Sequence, residues 1–197
     1  MPGEHDSNFY LKTGTGQEFV LKVAHAAEQK NNLDLQNKAL EHLAAHDPSL
    51  LLQQVCVTST GESIATVTTI EGKKHFARLL TYVPGKILAE VKPHSPALLH
   101  SLGGMLGRLD RALQDFTHPA AQRTLRWDLR HAVWIRDYLQ YITQPERRAI
   151  VERFLSHFET RVLPVLPALR MSIIHGDPMI TMFLSVRLTQ GIGRLSA

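Results

Sequence analysis

The chain has 197 residues, of which 44% are hydrophobic and 20% charged, a composition typical of a globular protein with one buried domain or two small lobes. Its net charge of +4 suits a protein that handles phosphates, but no basic cluster interleaved with aromatics indicates a nucleic-acid partner, and no long apolar run indicates a membrane span. The single cysteine, Cys56, excludes an internal disulfide framework and, with no signal peptide predicted, favours the cytoplasm.

Two short β-type runs come first, Asn8–Lys12 and Glu18–Val23. The glycine-containing turn between them predicts a β-hairpin. Leucines and alanines then recur at helical spacing from Leu33 onward, which predicts a helix that ends before Asp47-Pro48.

Three further β-type runs follow this helix. Gln54–Thr58 and Ser63–Ile70 predict a second β pair across the turn Thr60–Glu62. His75–Tyr82 predicts an apolar strand that Pro84-Gly85 closes. We therefore expect residues 1–83 to form a small β-rich lobe.

The pattern changes to helical periodicity at Ser95-Pro96. Ser95 is a good N-cap, and proline suits the first helical position. The apolar residues of the predicted helix form one stripe: Leu98, Leu99, Leu102, Met105, Leu106, Leu109, Leu113 and Phe116. This stripe predicts a helix with one buried face.

Two more helices and a short strand are predicted after it. One helix runs from Trp127 to Tyr141, and the other begins at Pro145-Glu146. The run Met171–Ile174 predicts a strand. The expected buried face of the last helix comprises Ile150, Val151, Phe154, Leu155, Phe158 and Val162.

Lys22 is a candidate phosphate ligand because it stands near the end of an apolar hairpin strand. The P-loop pattern is absent, and a solvated edge lysine is the alternative interpretation. The segment Gly3–Asn8 forms either a tight loop over nucleotide phosphates or a frayed terminus. Asp34, Gln36 or Glu41 on the first predicted helix could pair with Lys22.

The tripeptide His175-Gly176-Asp177 is a candidate catalytic loop. A carboxylate at this point would orient an attacking hydroxyl, and the histidine would hold the loop by hydrogen bonding. A turn with a solvated aspartate is the alternative. H-E-x-x-H and C-x-x-C are both absent and the other histidines are scattered, so no metal site is predicted.

These motifs together resemble the aminoglycoside phosphotransferase / choline kinase superfamily, and within it the hydroxylysine kinase group. The matching stretches are Gly3–Phe9, Phe19–Lys22, Leu35–Asn37, Arg78–Gly85, Gly103–Asp110, Trp127-Asp128 and Ile174–Asp177. The resemblance implies an α+β, protein-kinase-like bilobal fold, with a β-rich N-lobe over residues 1–83 and a helical C-lobe over residues 84–178, incomplete at both ends.

The resemblance also implies site roles. Lys22 would contact the ATP phosphates beside the loop residues Asp6 and Ser7, with Gln36 or Asp34 as its partner. Leu80, Thr81 and Tyr82 would form the adenine-side hinge, and Asp177 with His175 would form the catalytic loop. The implied cofactors are ATP and Mg²⁺, and the implied acceptor is a hydroxyl on a small amino compound, with 5-hydroxylysine the best candidate.

The family pattern breaks after Pro178. The resemblance implies roughly Asn-Asp-Tyr-Asn-(Val/Ile)-Leu here, whereas residues 179–184 read Met-Ile-Thr-Met-Phe-Leu, and no Asp, Glu or Asn follows Asp177. When the DNA that encodes residues 179–184 is read from one base earlier, each new codon can encode the corresponding residue of the family string Asn-Asp-Tyr-Asn-Val-Leu. We therefore hypothesise a one-base frameshift near the Pro178 codon, which makes residues 179–197 an out-of-frame tail; a divergent family end is the alternative.

Three classes of function follow from these features. The first is an ATP-dependent phosphotransferase that truncation impairs, since the expected metal ligands are missing. The second is a non-catalytic remnant or a nucleotide-binding pseudokinase. The third is a helical interaction module, against which a pocket formed by Lys22 and the hinge would argue.

Overall fold

The computed structural model describes residues 6–122 and 128–174. The described chain divides into two compact units. One comprises residues 6–121 together with residues 173 and 174, and the other comprises residue 122 and residues 128–172.

The first unit contains an antiparallel sheet. Its strands are Ser7–Lys12 (β1), Glu18–Val23 (β2), Val55–Cys56 (β3), Ala65–Thr68 (β4) and Lys74–Thr81 (β5). The order across the sheet is β1-β2-β5-β3, and β4 also pairs with β5. The predicted hairpin of β1 and β2 and the predicted strand β5 are confirmed.

The predicted pairing of β3 with β4 is wrong. Both strands pair with the edge of β5 that lies opposite β2, because Val55 is in register with Leu80 while Ala65 is in register with Ala77. The residues between them leave the sheet in a turn, in which the Thr58 amide donates to the Glu62 carbonyl at 2.8 Å. The predicted turn around Gly61 is therefore confirmed. The two short strands on either side of it pair with β5 and not with each other.

The helix Lys30–His46 (α1) packs its apolar side against residues of the sheet and its loops. Leu33, only 1% exposed, forms a core cluster with Ala24 and Ile64, against which Phe76 also packs. The helix ends before Asp47, as predicted. Its position brings the first turns of α1 to the face of the sheet that carries Arg78, which forms side-chain hydrogen bonds to α1.

The helix Pro96–Ala112 (α2) begins as predicted, with the Ser95 hydroxyl accepting a hydrogen bond from the Leu98 amide at 3.2 Å. Leu109 and Leu113 from the apolar stripe are buried in a cluster with Leu43 and Leu50. The apolar stripe is not buried along its whole length, since Leu99 near the start of α2 is 50% exposed. Short 3₁₀ turns lie on either side of α2, at Leu88–Glu90 and Pro119–Gln122.

The second unit is helical. It contains a 3₁₀ segment at Leu129–Tyr141, the helix Pro145–His157 (α3), a π-helical turn at Phe158–Val162 and a 3₁₀ turn at Leu166–Ala168. Helical segments are therefore present at both predicted positions, the first as a 3₁₀ segment whose predicted first residue, Trp127, lies outside the described residues. No helix in the two described ranges combines the length and hydropathy needed to cross a bilayer.

Two expectations about this part of the chain are wrong. Of the six residues of the predicted buried face, only Leu155 is buried, whereas Ile150 and Phe154 are 50% and 62% exposed. Residues 171–174 form neither a helix nor a strand. A strand needs a partner edge for its backbone groups, and no described strand pairs with this run.

Candidate active site

Two cationic side chains stand side by side on the sheet. Lys22 on β2 is directly in register with Arg78 on β5, and with Asn8 on β1. Directly opposite residues of antiparallel strands share a face, with Cβ atoms about 4.5–5.5 Å apart. The fold therefore concentrates two positive charges on the face that α1 covers in part.

Arg78 is buried, with only 4% of its surface exposed. Its Nη1 donates a hydrogen bond to Asn37 Oδ1 at 2.9 Å, and its Nη2 donates to Gln36 Oε1. Its Nε has no hydrogen-bond partner. Burial lowers the pKa of Arg78, while Asp6 and Glu28 act in the opposite direction at longer range. Within residues 6–122 and 128–174, no carboxylate forms an ion pair with this guanidinium.

Lys22 is half-buried and also lacks an ion-pair partner in the described ranges. Burial lowers the pKa of its ammonium group, and the nearby charge of Arg78 lowers it further. The Asp6 carboxylate raises the pKa of both Lys22 and Arg78 through its charge, but it forms no ion pair with either of them in the described ranges. The site is therefore short of negative charge.

The three residues named as possible partners of Lys22 are engaged elsewhere, and Glu41 pairs with Lys38 Nζ at 2.8 Å. Gln36 accepts the hydrogen bond from Arg78, and Asp34 accepts one from His118 Nε2 at 3.1 Å. Asn37 is held on its other side by a 3.3 Å bond from its Nδ2 to the Ser63 carbonyl. The polar side chains of α1 thus anchor Arg78, and none of them forms an ion pair with Lys22.

Sequence reasoning missed the role of Arg78, although a signal was available. The residue is a lone charge within the apolar strand run Phe76–Leu80, where an unpartnered charge would be costly. A buried arginine in such a run requires polar partners from another element. Two consecutive amides on the facing helix, Gln36 and Asn37, supply them.

The residues predicted to form the hinge, Leu80, Thr81 and Tyr82, lie at the end of β5 and directly after it. Leu80 is 2% exposed and belongs to the core. The Thr81 amide donates to the Gln54 carbonyl at 2.9 Å, and the Tyr82 amide donates to the Glu18 carbonyl at 3.0 Å. These two N–H groups are therefore already satisfied by the chain. Carbonyl oxygens carry two lone pairs, so the Thr81 carbonyl can accept a second bond besides that from Gln53 Nε2.

The ring of Tyr82 contacts the hairpin. It packs edge-on against Tyr10 with ring centroids 5.1 Å apart, and the Tyr10 hydroxyl donates to Glu18. This hydrogen bond raises the pKa of Tyr10 to about 12 and lowers that of Glu18. These contacts connect the C-terminal end of β5 to β1 and β2.

The remaining candidates are only partly placed. Ser7 is exposed and in register with Val23, so its side chain lies on the face opposite Lys22. Asp6 precedes β1 and acts electrostatically on both cations. His175 and Asp177 lie outside the described residues.

The sequence model of the phosphotransferase enzyme family matches residues 2–181, which is most of the chain. The chain belongs to this family. This member of the phosphotransferase family is 31% identical over 186 residues to the hydroxylysine kinase of Danio rerio. The alignment covers 90% of this chain and 52% of the relative. It is 30% identical over 195 residues to the hydroxylysine kinase of Bos taurus, with 90% and 50% covered. The chain thus spans about half the length of these relatives, and the predicted resemblance is confirmed.

A solved structure shows the fold of this phosphotransferase family member. Amicoumacin kinase hAmiN, in complex with AMP-PNP, Ca²⁺ and Ami, matches with a TM-score of 0.60 and 13% identity. The match covers 87% of this chain and 48% of that chain. At this identity the likeness concerns the fold alone, and it confirms the predicted kinase-like α+β class.

Proposed function

We propose that this chain contains the nucleotide-binding part of an ATP-dependent phosphotransferase that acts on a hydroxyl of a small amino compound. Membership of the phosphotransferase enzyme family supports the reaction class. The similarity to hydroxylysine kinases supports 5-hydroxylysine as the acceptor. A reducing compartment fits the single free thiol, Cys56, and we place the protein in the cytoplasm.

The observation that carries this proposal is the pair of cations, Lys22 and Arg78, without a carboxylate partner in the described ranges. A buried or half-buried charge is costly unless an opposite charge compensates it. Nucleotide phosphates are anions that would supply this compensation. The orphaned, buried Nε of Arg78 shows the same deficit of acceptors at this site.

The residues would act as follows. Lys22 binds the phosphates, and Arg78, fixed by Gln36 and Asn37, adds positive potential behind it. The carbonyl of Thr81 accepts a hydrogen bond from the adenine, since its N–H is already in use. ATP, when bound, supplies the phosphoryl group.

The catalytic loop belongs to the same proposal. Asp177 orients the acceptor hydroxyl and receives its proton, and His175 holds the loop. Asp6 is the carboxylate that acts on both cations, and no cluster of acidic groups accompanies it among the described residues. The ligands for Mg²⁺ would have to come from outside these ranges.

The second candidate is a nucleotide-binding pseudokinase or non-catalytic remnant. It is favoured by the absence of Asp, Glu and Asn after Asp177, because phosphoryl transfer depends on metal-assisted neutralisation of charge. Both candidates require a phosphate site, and they differ in the response to Mg²⁺.

Calorimetry with ATP and adenosine tests the phosphate site. We expect ATP to bind at least about tenfold more tightly than adenosine, because hydrogen bonds to charged groups contribute about 1.5–3 kcal/mol. We expect Mg²⁺ to change the ATP affinity by less than about threefold, a difference below about 0.7 kcal/mol. Equal affinities for ATP and adenosine would rule out the cation pair as a phosphate site, and a strong Mg²⁺ effect would show that other residues hold the metal.

The lowered pKa of Lys22 predicts a pH dependence of ATP binding. The ammonium form binds phosphate, so affinity is full below the lowered pKa and falls as the pH rises through it. This fall begins at lower pH than for a solvated lysine, whose pKa is about 10.4. A titration of ATP affinity above pH 7.5 measures it, and Lys22→Arg, which keeps its charge, should give a flat profile. Parallel profiles would show that Lys22 does not bind the phosphates.

Arg78 is expected to act on the phosphates through its field. For a phosphate charge about 8 Å away, Coulomb's law with an effective dielectric of about 20 gives about 2 kcal/mol, or about 30-fold in affinity. We therefore expect Arg78→Met to weaken ATP binding by about tenfold or more. The control is Arg108→Met, which removes the same charge from an exposed pair with Asp47. Equal losses in both variants would assign the effect to net charge alone.

A further inference from the structure

A second cluster of polar side chains joins the C-terminal end of α1 to the turn after α2. It consists of His42, His46 and Asp115. We propose that these residues form a binding site for a divalent transition-metal ion of the Zn²⁺ class. The site is separate from the cation pair and independent of the proposed phosphotransferase function.

The donor atoms are already close together. His42 Nε2 lies 3.3 Å from Asp115 Oδ1, and His46 Nε2 lies 4.0 Å from Asp115 Oδ2. One donor atom from each residue can be chosen so that all three lie within 4.8 Å of one another. Two donors bound tetrahedrally to Zn²⁺ at about 2.0–2.1 Å are about 3.3 Å apart. The His42–Asp115 distance meets this value. The distance from His46 to the other carboxylate oxygen of Asp115 is longer, at 4.0 Å, so the His46 ring must move closer for the three residues to share one ion.

The helix presents both histidines on one side. His42 and His46 are four residues apart on α1, and their rings stack with centroids 3.7 Å apart at an angle of 22°. This i, i+4 spacing is the one by which helical histidines share a zinc ion. The sequence, in which the histidines are scattered, predicted no metal site. The fold adds a third donor, because the turn after α2 brings Asp115 close to these two histidines of α1.

His46 is held in the tautomer that a metal requires. Its Nδ1 lies 2.9 Å from the His42 carbonyl. A carbonyl only accepts, so Nδ1 carries the proton and the lone pair is on Nε2, the atom nearest Asp115. Donation of the second ring N–H to a backbone carbonyl is the usual way in which metal-binding histidines are oriented.

His42 has a competing interaction, which sets the expected strength of the site. Its Nε2 lies 2.9 Å from the Ala112 carbonyl and therefore carries the proton in the metal-free protein. Coordination through Nε2 requires this proton to move to Nδ1 and the hydrogen bond to Ala112 to break. We accordingly expect micromolar rather than structural-site affinity.

The proposed metal site is accessible from solvent. His46 and Asp115 are exposed, so an ion can enter and keep water as a further ligand, while His42 is partly buried against Phe116. A bound ion would tie α1 to the end of α2. It would thereby stabilise the cluster of Leu43, Leu50, Leu109 and Leu113 that joins the two helices.

The test is a Zn²⁺ titration of the untagged 197-residue chain against a chromophoric chelator, with Co²⁺ absorption as a second readout. The variants are His46→Ala and Asp115→Asn, whose side chains are exposed, so the fold should survive. The matched controls are His100→Ala and Asp110→Asn, exposed residues of α2 outside the cluster.

We expect one Zn²⁺ bound at micromolar affinity and a higher melting temperature with Zn²⁺, both kept in the controls. Each cluster variant should bind at least tenfold more weakly and lose the thermal shift. Equal binding by the parent chain and His46→Ala would overturn the proposal. So would a lower melting temperature in His46→Ala without any change in Zn²⁺ affinity, because the cluster would then be a hydrogen-bonded contact only.

Discussion

The 197-residue chain is expected to show negligible phosphotransfer, and shifting the reading frame by one base after Pro178 is expected to give an active kinase. The chain has no Asp, Glu or Asn after Asp177, the residue types that the family resemblance predicts as metal ligands there. Reading residues 179–184 from one base earlier forces Asp and Val at the second and fifth positions and permits Asn, Tyr, Asn and Leu at the others. The family match ends at residue 181, within this stretch.

The expected gain is large because metal ions and positioned donors supply most of the charge stabilisation in phosphoryl transfer. We expect the frame-restored protein to turn over at about 1–100 per second, the ordinary range of kinases. The assay is ATP consumption with 5-hydroxylysine and other small amino alcohols, beside the 197-residue chain. An Asp177→Asn variant of the restored protein is the control and should be inactive.

Two results would contradict this account. If the downstream DNA encodes no Asn-Asp-Tyr-Asn-Val-Leu string in any frame, the frameshift hypothesis is wrong. If the 197-residue chain itself turns over ATP at ordinary kinase rates, the missing groups are not needed and the chain is not impaired.

Lys22→Met is expected to weaken ATP binding by about 30-fold or more. The ammonium group is half-buried beside Arg78 and has no carboxylate partner among the described residues, so a phosphate is its best available counter-ion. A charge-assisted hydrogen bond contributes about 1.5–3 kcal/mol, which is about 10- to 150-fold in affinity. Methionine keeps an unbranched side chain out to the ε position and removes the charged ammonium group.

The matched control for this variant is Lys74→Met. Lys74 is exposed at the start of β5, so its removal changes the net charge equally without touching the site. Its ATP affinity should stay within about twofold of the parent, since exposed charges are screened by salt. Calorimetry that gives both variants the same affinity would remove Lys22 from the phosphate site. Adenosine affinity should be unchanged in both, which separates loss of the phosphate contact from loss of the fold.

The sequence by itself determined the elements whose signals are local. The β1–β2 hairpin follows from alternating runs around a glycine turn, and α2 begins where Ser95 and Pro96 predict it. The family and the kinase-like fold class could also be predicted, because the motifs around Lys22 and from Arg78 to Gly85 lie within continuous stretches. These features depend on residues close together in the chain.

The tertiary structure alone decided which distant groups meet. β3 and β4 pair with β5 rather than with each other, because both find the free edge of the longer strand. Ile150 and Phe154 have helical spacing, but burial requires an opposing surface, which periodicity does not provide.

The candidate site shows the same division. The sequence indicated Lys22, but its surroundings depend on contacts between residues far apart in the chain. Gln36 and Asn37 hold Arg78 across 42 and 41 positions, so the expected partner of Lys22 is engaged elsewhere and the two cations share one face. Hydrogen bonds and electrostatic fields act over a few ångströms in space, and a linear pattern does not specify which distant residues the fold brings that close.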